Sequence, residues 1–172
     1  MPNPLPRLAV PADAPDVLTL LGQVPAWRES SLDRWRERLQ DQAEFGDRAR
    51  RGVWVLEAGG RVRGVATVQW RSPKTVAGRT WPVYLEYLVV DEKHRGRGYG
   101  WGGRLEGHVT GELARLGHAG AYLHVFKEDP GWAEALGFWE HRGWTQAAGT
   151  RDSHILMTKE TPVSPRPDPG RP

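Results

Sequence analysis

Residues 88–105 read LVVDEKHRGRGYGWGGRL, and this stretch decides the fold class of the 172-residue chain. It begins with an apolar run of the kind that forms strands and ends in a segment with helical apolar spacing. Between the two, the glycines at 96, 98 and 100 let several backbone N–H groups converge, because no Cβ obstructs the turn. The stretch therefore predicts a strand, a phosphate-binding turn and a helix.

The charges around this turn favour the same ligand. The start of the predicted helix contributes a partial positive charge, and Arg95 and Arg97 contribute full charges. The formal net charge of +3 is too small to indicate a nucleic-acid-binding protein, but it suits a compact polyanion bound at one place. Coenzyme A, with its pyrophosphate, is such a ligand.

The glycine segment allows two other interpretations. RGRGYGWGG is also typical of flexible segments that bind single-stranded nucleic acid. Such segments lack an apolar strand directly before them and a periodic apolar stripe directly after them, and both are present here. A dinucleotide-binding fold is disfavoured because the turn lies past the middle of the chain and no suitable acidic strand end follows.

The rest of the chain predicts alternating strands and helices in one mixed α/β domain over residues 1–160. Strands are predicted at 7–10, 53–57, 62–70, 81–90, 121–126, 144–148 and 153–158, with a hairpin turn at 58–61. Helices are predicted behind residues 13–16, from Ser30 or Ser31 to about Ala49, over 98–116 and over 132–141. Residues 161–172 form a proline-rich tail that we expect to be extended or disordered.

Composition excludes several kinds of chemistry. The chain has no cysteine, which rules out disulfides, thiolate metal sites and a covalent acyl-cysteine intermediate. We expect no metal cofactor. No apolar run approaches the roughly 18 residues of a membrane span, and the N-terminus does not have the pattern of a signal peptide. A cytoplasmic enzyme with no membrane partner is therefore the expectation.

Arg95, Gly98 and Gly100 fit the motif of the GNAT N-acetyltransferase family: Arg or Gln, two residues, Gly, one residue, then Gly or Ala. The preceding LEYLVVDEKH resembles the family's cofactor strand, and ALGFWEHRGW resembles its second cofactor segment. These motifs cover residues 84–144, and a weaker likeness extends over residues 7–159.

The resemblance implies a GNAT-like fold, in which helices flank a central mixed sheet and two parallel strands splay apart. It also implies acetyl-CoA as cosubstrate. The pantetheine arm would pair with exposed backbone of the cofactor strand, and the pyrophosphate would meet amides of the glycine turn. The implied cofactor contacts are Leu88, Val89, Val90, Arg95, Gly96, Arg97, Gly98, Tyr99, Gly100 and Trp139.

One departure from the family pattern concerns the leaving group. The family frequently carries a tyrosine that can protonate the departing thiolate, and Trp139 stands at that position. An indole N–H can donate a hydrogen bond but does not realistically lose its proton, so another residue or water must protonate coenzyme A. Trp132 falls where an asparagine is common, and it either widens an aromatic cofactor wall or packs in the core.

An amine must lose a proton to attack a thioester, and three residues are candidates for handling protons. Glu86 is the first candidate, as a general base, because strict alternation along the predicted strand places it on one face with Tyr84, Leu88 and Val90. A glutamate there can also simply attract a cationic amine. Tyr84 and His124 are weaker candidates, since an isolated strand histidine usually packs or faces solvent.

Two further patterns each allow two interpretations. Gly103, Gly107 and Gly111 recur every four residues on the predicted helix, each at a cost of about 1 kcal/mol relative to alanine. Either cofactor or sheet backbone packs closely there, or tertiary burial offsets a composition bias. Four of the tryptophans that precede the cofactor segment form either an aromatic acceptor pocket or core: Trp27, Trp35, Trp70 and Trp81.

Together these observations predict an N-acetyltransferase that moves an acetyl group from acetyl-CoA directly to the amine of a small molecule. Protein lysines or N-termini remain alternative acceptors. A catalytically silent acyl-CoA sensor is a rival, because the tyrosine is missing. We expect no nucleic-acid partner, and a homodimer is left open.

Overall fold

The centre of the protein is a seven-stranded sheet, seen in a computed structural model that describes residues 4–24 and 31–162. The described strands are β1 (Pro6–Leu8), β2 (Arg51–Ala58), β3 (Arg61–Gln69), β4 (Lys74–Val76), β5 (Arg79–Trp81), β6 (Val83–Val90), β7 (Gly120–Phe126), β8 (Thr145–Gln146) and β9 (His154–Glu160). The main sheet has the order β1-β2-β3-β6-β7-β9-β8, and β4 and β5 form a separate hairpin. All neighbours are antiparallel except β6 and β7, which confirms the predicted mixed sheet.

Four helices cover the two faces of this sheet: α1 (Ala14–Leu21), α2 (Leu32–Phe45), α3 (Trp101–Arg115) and α4 (Trp132–His141). On one face, α1 and α2 pack buried side chains such as Leu21 and Leu39 against β2 and β3. On the other face, α3 and α4 form a second core around Leu105 and Leu113. Each helix has its apolar stripe toward the sheet, as the sequence spacing predicted. Among the described residues, no helix is both long and apolar enough to cross a membrane.

Two of the boundaries that differ from the sequence prediction have a clear physical cause. The second helix ends at Phe45 rather than near Ala49, because Gly46 takes a φ of +54° and closes it. The predicted strand 81–90 is broken at Pro82, so Trp81 belongs to the β4–β5 hairpin instead. The cap of the second helix is Ser31, whose side chain accepts from the Arg34 N–H at 3.2 Å; Ser30 lies outside the described residues.

A gap opens between the two parallel strands. β6 and β7 pair only at Val83 with Ala121 and at Tyr84 with Tyr122. Beyond these positions β6 continues to Val90 without pairing to β7, while β7 pairs with β9 along its whole length. The strands therefore splay apart toward their carboxyl ends, as the resemblance implied.

A β-bulge at Glu86 breaks the alternation of β6. In the register with β3, Tyr87 lies opposite Thr67 and Leu85 lies opposite Val68, so Glu86 is the additional residue. As a result Tyr87 and Val89 pack in the core of α1 and α2, whereas Leu88 packs with α3 and α4. The expectation that Glu86 shares a face with Leu88 and Val90 is therefore wrong; it lies on the α1 and α2 face, as Tyr84 does.

A buried carboxylate joins α3 to the end of α4 and to β9. Glu106 is fully buried and accepts hydrogen bonds from Arg142 Nε at 2.9 Å, Trp144 Nε1 at 3.0 Å and Lys159 Nζ at 2.7 Å. Its charge is compensated by the two cations, and each of its oxygens accepts at least one hydrogen bond. This cluster fixes α4 beside the helix that follows the glycine turn.

The glycine stripe of α3 has a simple packing explanation. A Cβ added to Gly103 would lie 3.6 Å from the Arg142 guanidinium, and one added to Gly107 would lie 3.5 Å from it. Arg142 also donates to the Gly103 carbonyl at 3.2 Å. A side chain, rather than cofactor or sheet backbone, covers the first two glycines, while a Cβ on Gly111 would meet nothing within 4 Å.

Candidate functional site

The glycine turn lies at the end of the gap where β6 stops. Gly96, Gly98 and Gly100 have φ values of +64°, +76° and +66°, in the left-handed region that glycine adopts without strain. A Cβ at any of the three would meet no atom within 4 Å, so the turn borders open space. Gly100 caps α3 without a side-chain hydrogen bond. The first helical bond of α3 runs from the Arg104 N–H to the Gly100 carbonyl. The N–H groups before Arg104 therefore have no intrahelical partner.

The larger residues of the turn have different roles. Arg95 Nε donates to the Val90 carbonyl at 2.6 Å and ties the turn to the end of β6. Arg97 and Tyr99 are exposed beside the free amides. The Tyr99 ring lies 5.1 Å from that of Trp101, which is buried at the start of α3. The turn thus presents backbone donors, one free guanidinium and an aromatic ring to the same space.

The backbone of β6 has one edge toward β3 and one toward the gap. The Asp91 N–H donates to the Arg63 carbonyl of β3 at 2.8 Å, which fixes the register. By alternation the backbone groups of Val89 point toward β3, and those of Leu88 and Val90 point into the gap. Val89 also has its side chain buried under α1 and α2. Of the three strand residues predicted to contact cofactor, two therefore offer backbone groups to the gap.

Trp139 and Trp132 lie on α4, beside the start of α3. Trp139 is buried in the α3 and α4 core, with its ring 5.4 Å from that of Trp144 and 4.9 Å from that of Phe138. No described residue accepts a hydrogen bond from its indole N–H. Trp132 is partly buried against the same core. Both tryptophans pack as core residues, which is one of the two interpretations given for Trp132 above.

Glu86 is held in an ion pair on the α1 and α2 face. Its Oε2 accepts from Arg51 Nε at 3.0 Å, and both side chains are largely buried, at 11% and 17% exposure. Arg38 of α2 lies nearby, and burial lowers the pKa of its guanidinium, with Arg51 contributing and Glu86 opposing. Arg38 Nη1 is buried and has no hydrogen-bond partner among the described residues. One carboxylate therefore faces two guanidinium groups.

Tyr84 and His124 lie where the parallel strands separate. The Tyr84 ring stacks on Tyr122 with centroids 5.0 Å apart, and it lies 5.5 Å from the His124 ring. Burial and the charge of Glu86 raise the pKa of Tyr84, so its hydroxyl keeps its proton. Burial, and then Lys74 and His154, lower the pKa of His124 to about 4, so its ring is neutral near pH 7. The structure brings all three catalytic candidates to one face of the sheet. It adds Tyr122, which lies two residues before His124 on the same face of β7.

The tryptophans that could form either an acceptor pocket or core do not meet in a pocket. Trp35 of α2 is fully buried in the core of α1 and α2, with the Arg38 guanidinium 4.7 Å from its ring centroid. Trp70 stacks on His118 on the opposite face, and Trp81 lies under Arg79. Trp27 lies outside the described residues. The described tryptophans serve the core, and the aromatic-pocket interpretation is set aside for them.

This geometry can be compared with known proteins. The model of the acetyltransferase (GNAT) family matches residues 21–144, which is most of the chain and includes the gap, the glycine turn and α4. The chain belongs to the GNAT acetyltransferase family. Acetyltransferase chemistry, a kind of transferase chemistry, is therefore characteristic of the family to which the chain belongs.

Solved structures agree with the family's fold. A protein described as an acetyltransferase of the GNAT family from Desulfovibrio desulfuricans has 16% identity and a TM-score of 0.74, with 92% of this chain and 99% of that chain covered. The PaiA N-acetyltransferase from Thermoplasma acidophilum, in complex with coenzyme A, has 13% identity and a TM-score of 0.65, covering 91% and 98%. A ribosomal-protein alanine N-acetyltransferase from Escherichia coli has 19% identity and a TM-score of 0.65, covering 95% and 97%. At these identities the likeness shows the fold alone.

Proposed function

We propose that this protein is an acetyl-CoA-dependent N-acetyltransferase that transfers the acetyl group directly to the amine of a small molecule. The observation that carries the proposal is the gap between β6 and β7 leading to a left-handed glycine turn at the start of α3. Unpaired strand backbone suits an amide-bearing pantetheine arm, and free helical N–H groups suit a pyrophosphate. The family membership supports the same donor.

The proposed contacts follow from which groups are free. Amides of Gly96 to Gly100 and the first turn of α3 would bind the pyrophosphate, with Arg97 adding charge. Backbone groups of Leu88 and the N–H of Val90 would pair with pantetheine, because the Val90 carbonyl accepts from Arg95. Arg95 would act by holding the turn against Val90, and Tyr99 would lie over the ligand's exposed side. Trp139 would form part of the wall behind the site.

The reaction needs two proton transfers. The amine nitrogen attacks the thioester carbonyl carbon, the C–S bond breaks, the nitrogen loses a proton and the thiolate gains one. We assign Glu86 as the general base, directly or through a water, because Oε1 has no described partner while Oε2 binds Arg51. Tyr84 is the proposed hydrogen-bond donor to the thiolate, since its raised pKa keeps the hydroxyl protonated and Trp139 cannot lose a proton, and the proton that the thiolate gains comes from water. His124, neutral near pH 7, remains a second proton acceptor.

Replacing Glu86 by glutamine should lower kcat by roughly a hundredfold, a typical value for loss of a general base. The Kd for acetyl-CoA should change little, because Glu86 lies on the face opposite Leu88. Coenzyme A release gives kcat, and calorimetric titration gives Kd. Glu57→Gln is the matched control, since Glu57 is a strand glutamate that pairs with Arg7 outside the gap. If the folded Glu86→Gln variant had the same kcat as the unsubstituted protein, Glu86 would have no role in the mechanism.

Acetyl-CoA should raise the melting temperature, whereas acetate should not, because the turn recognises phosphate and not the acetyl group. At a hundredfold excess over Kd the stabilisation should be about 2.7 kcal/mol. Coenzyme A without an acetyl group should stabilise nearly as well. A thermal-shift series with the three ligands measures this, and the absence of a shift at saturating acetyl-CoA would contradict the donor assignment.

A catalytically silent acyl-CoA sensor is the second candidate, and Trp139 at the usual tyrosine position is the observation that favours it. Coenzyme A release measured with several acyl-CoAs and a broad panel of amines separates the two functions. Tight binding without release from any amine, including lysine peptides and free peptide N-termini, would favour the sensor. Release with peptides only would favour a protein acceptor.

A further inference from the structure

A cavity of about 510 Å³ lies on the sheet face that carries Tyr84 and His124. The β4–β5 hairpin forms one wall, and the turn between β8 and β9 forms the other. Four side chains with nitrogen groups line it: Lys74, His124, Arg151 and His154. This cavity is separate from the glycine turn, which lies at the far end of β6.

Two cations of this cavity have no carboxylate partner. Neither Lys74 nor Arg151 forms an ion pair with any carboxylate in the described part of the chain, whereas Arg79 on the same hairpin pairs with Glu160. Asp152, next to Arg151 in sequence, is exposed and does not line the cavity. An uncompensated pair of positive charges in a concave site favours an anion.

The two histidines add neutral hydrogen-bonding groups. Burial lowers the pKa of His124 to about 4 and also lowers that of His154, with Lys74 contributing to both. Their rings lie 4.7 Å apart, and Lys74 Nζ lies 3.4 Å from His124 Nε2. Within the described residues, no group of three or more metal-binding side chains occurs. Neutral imidazoles beside a lysine can donate N–H groups to an oxyanion.

The cavity leads toward the place where the acetyl group would be transferred. Lys74 Nζ lies 5.7 Å from the ring centroid of Tyr122, and Tyr122 stacks on Tyr84 at the last paired position of the parallel strands. Farther along the same face, Glu86 meets Arg38 and Arg51. Positive charge therefore exceeds negative charge among these groups. Such a field disfavours the ammonium form of a bound amine and so promotes the neutral nucleophile.

We infer that the acceptor amine carries a carboxylate or phosphate group, which Lys74 and Arg151 bind while the amine lies toward Tyr84 and Glu86. This inference rests on the proposed N-acetyltransferase function and names its acceptor class. Lys74 and Arg151 are substrate-binding residues in this arrangement. Polyamines and other polycations are excluded as preferred acceptors, because both unpaired cations would repel them.

The test uses amines that are matched except for the anionic group. The pairs are 4-aminobutyrate against 1,4-diaminobutane, and phosphoethanolamine against ethanolamine, each titrated calorimetrically into the protein saturated with coenzyme A. The anionic member of at least one pair should bind and its partner should not, and the pair that responds identifies carboxylate or phosphate. Lys74→Met and Arg151→Gln should each weaken that binding by roughly tenfold, as expected for a lost charge-assisted contact.

Arg79→Gln is the matched control, because it removes a positive charge from the same hairpin outside the cavity. It should leave binding of the anionic amine unchanged, and Lys74→Arg should restore most of what Lys74→Met loses. Equal binding within both pairs, or no binding of either anionic amine, overturns the inference. The titration with coenzyme A tests the proposed function separately from the acceptor class. Failure of coenzyme A to bind overturns the proposed function, whichever amine binds.

Discussion

Replacement of Gly98 by valine is expected to weaken acetyl-CoA binding by roughly tenfold or more, equivalent to about 1.4 kcal/mol. Gly98 has a φ of +76°, which a β-branched residue adopts only with strain, so the turn must change its backbone conformation. A Cβ added there meets no protein atom within 4 Å, so the valine side chain would project into the space proposed for the pyrophosphate. Calorimetric titration with acetyl-CoA, at low and high salt, measures the loss.

The chain offers a close control for this variant. Gly117, just past the end of α3, has a φ of +78° and equally open surroundings. Gly117→Val should therefore cost similar stability but leave acetyl-CoA binding intact. Arg97→Ala should have a milder effect that fades at high ionic strength, because it removes a charge and leaves the amides. If folded Gly98→Val bound acetyl-CoA like the parent, the cofactor assignment would fail.

Elements with local chemical signals were predictable from sequence. The helix over residues 132–141 has the predicted bounds, and Gly143 behind it has a positive φ of +82°, as is common for a glycine that follows a helix. The hairpin turn over residues 58–61 also agrees with the structure. In each case the deciding property, such as the freedom of glycine at positive φ, belongs to the residues themselves.

The faces of β6 were not predictable in the same way. Strict alternation is a property of a regular strand, and the bulge at Glu86 depends on how β6 pairs with β3. Nothing local in the sequence marks the additional residue. Pro82 did signal the break before β6, because proline cannot donate to a strand ladder, but the sequence prediction extended the strand across it.

The cavity residues were missed for a related reason. Lys74 and Arg151 are distant in sequence and line one cavity only because the β4–β5 hairpin and the turn between β8 and β9 face each other in the fold. His124 is a sequence candidate for catalysis alone, and Tyr122, two residues earlier on the same strand face, is not a sequence candidate. Tyr122 and His124 share a sequence signal, because they are ring-bearing side chains at every second position of β7. This signal becomes informative only when the position of the gap between β6 and β7 is known.

The largest effect on stability is expected for Glu106→Gln, which should lower the free energy of unfolding by about 3 kcal/mol. Glutamine preserves the shape and can still accept from Trp144, but Arg142 and Lys159 lose the charge that compensates them. This loss lies at the lower end of the range found when one partner of a buried ion pair is removed. The reason is that the Arg142 side chain is 36% exposed, so water can partly replace the carboxylate. Chemical denaturation of the two proteins measures the difference.

Glu112→Gln on the same helix is the matched control for this prediction. Glu112 pairs with Arg115, whose side chain is 54% exposed, so the loss of that ion pair should cost no more than about 1 kcal/mol. Because Arg142 also covers Gly103 and Gly107, release of its guanidinium would uncover the stripe on α3 and loosen α4 against it. Equal losses for the two variants would show that Glu106 contributes no more than a surface charge, and that packing alone holds α4 in place.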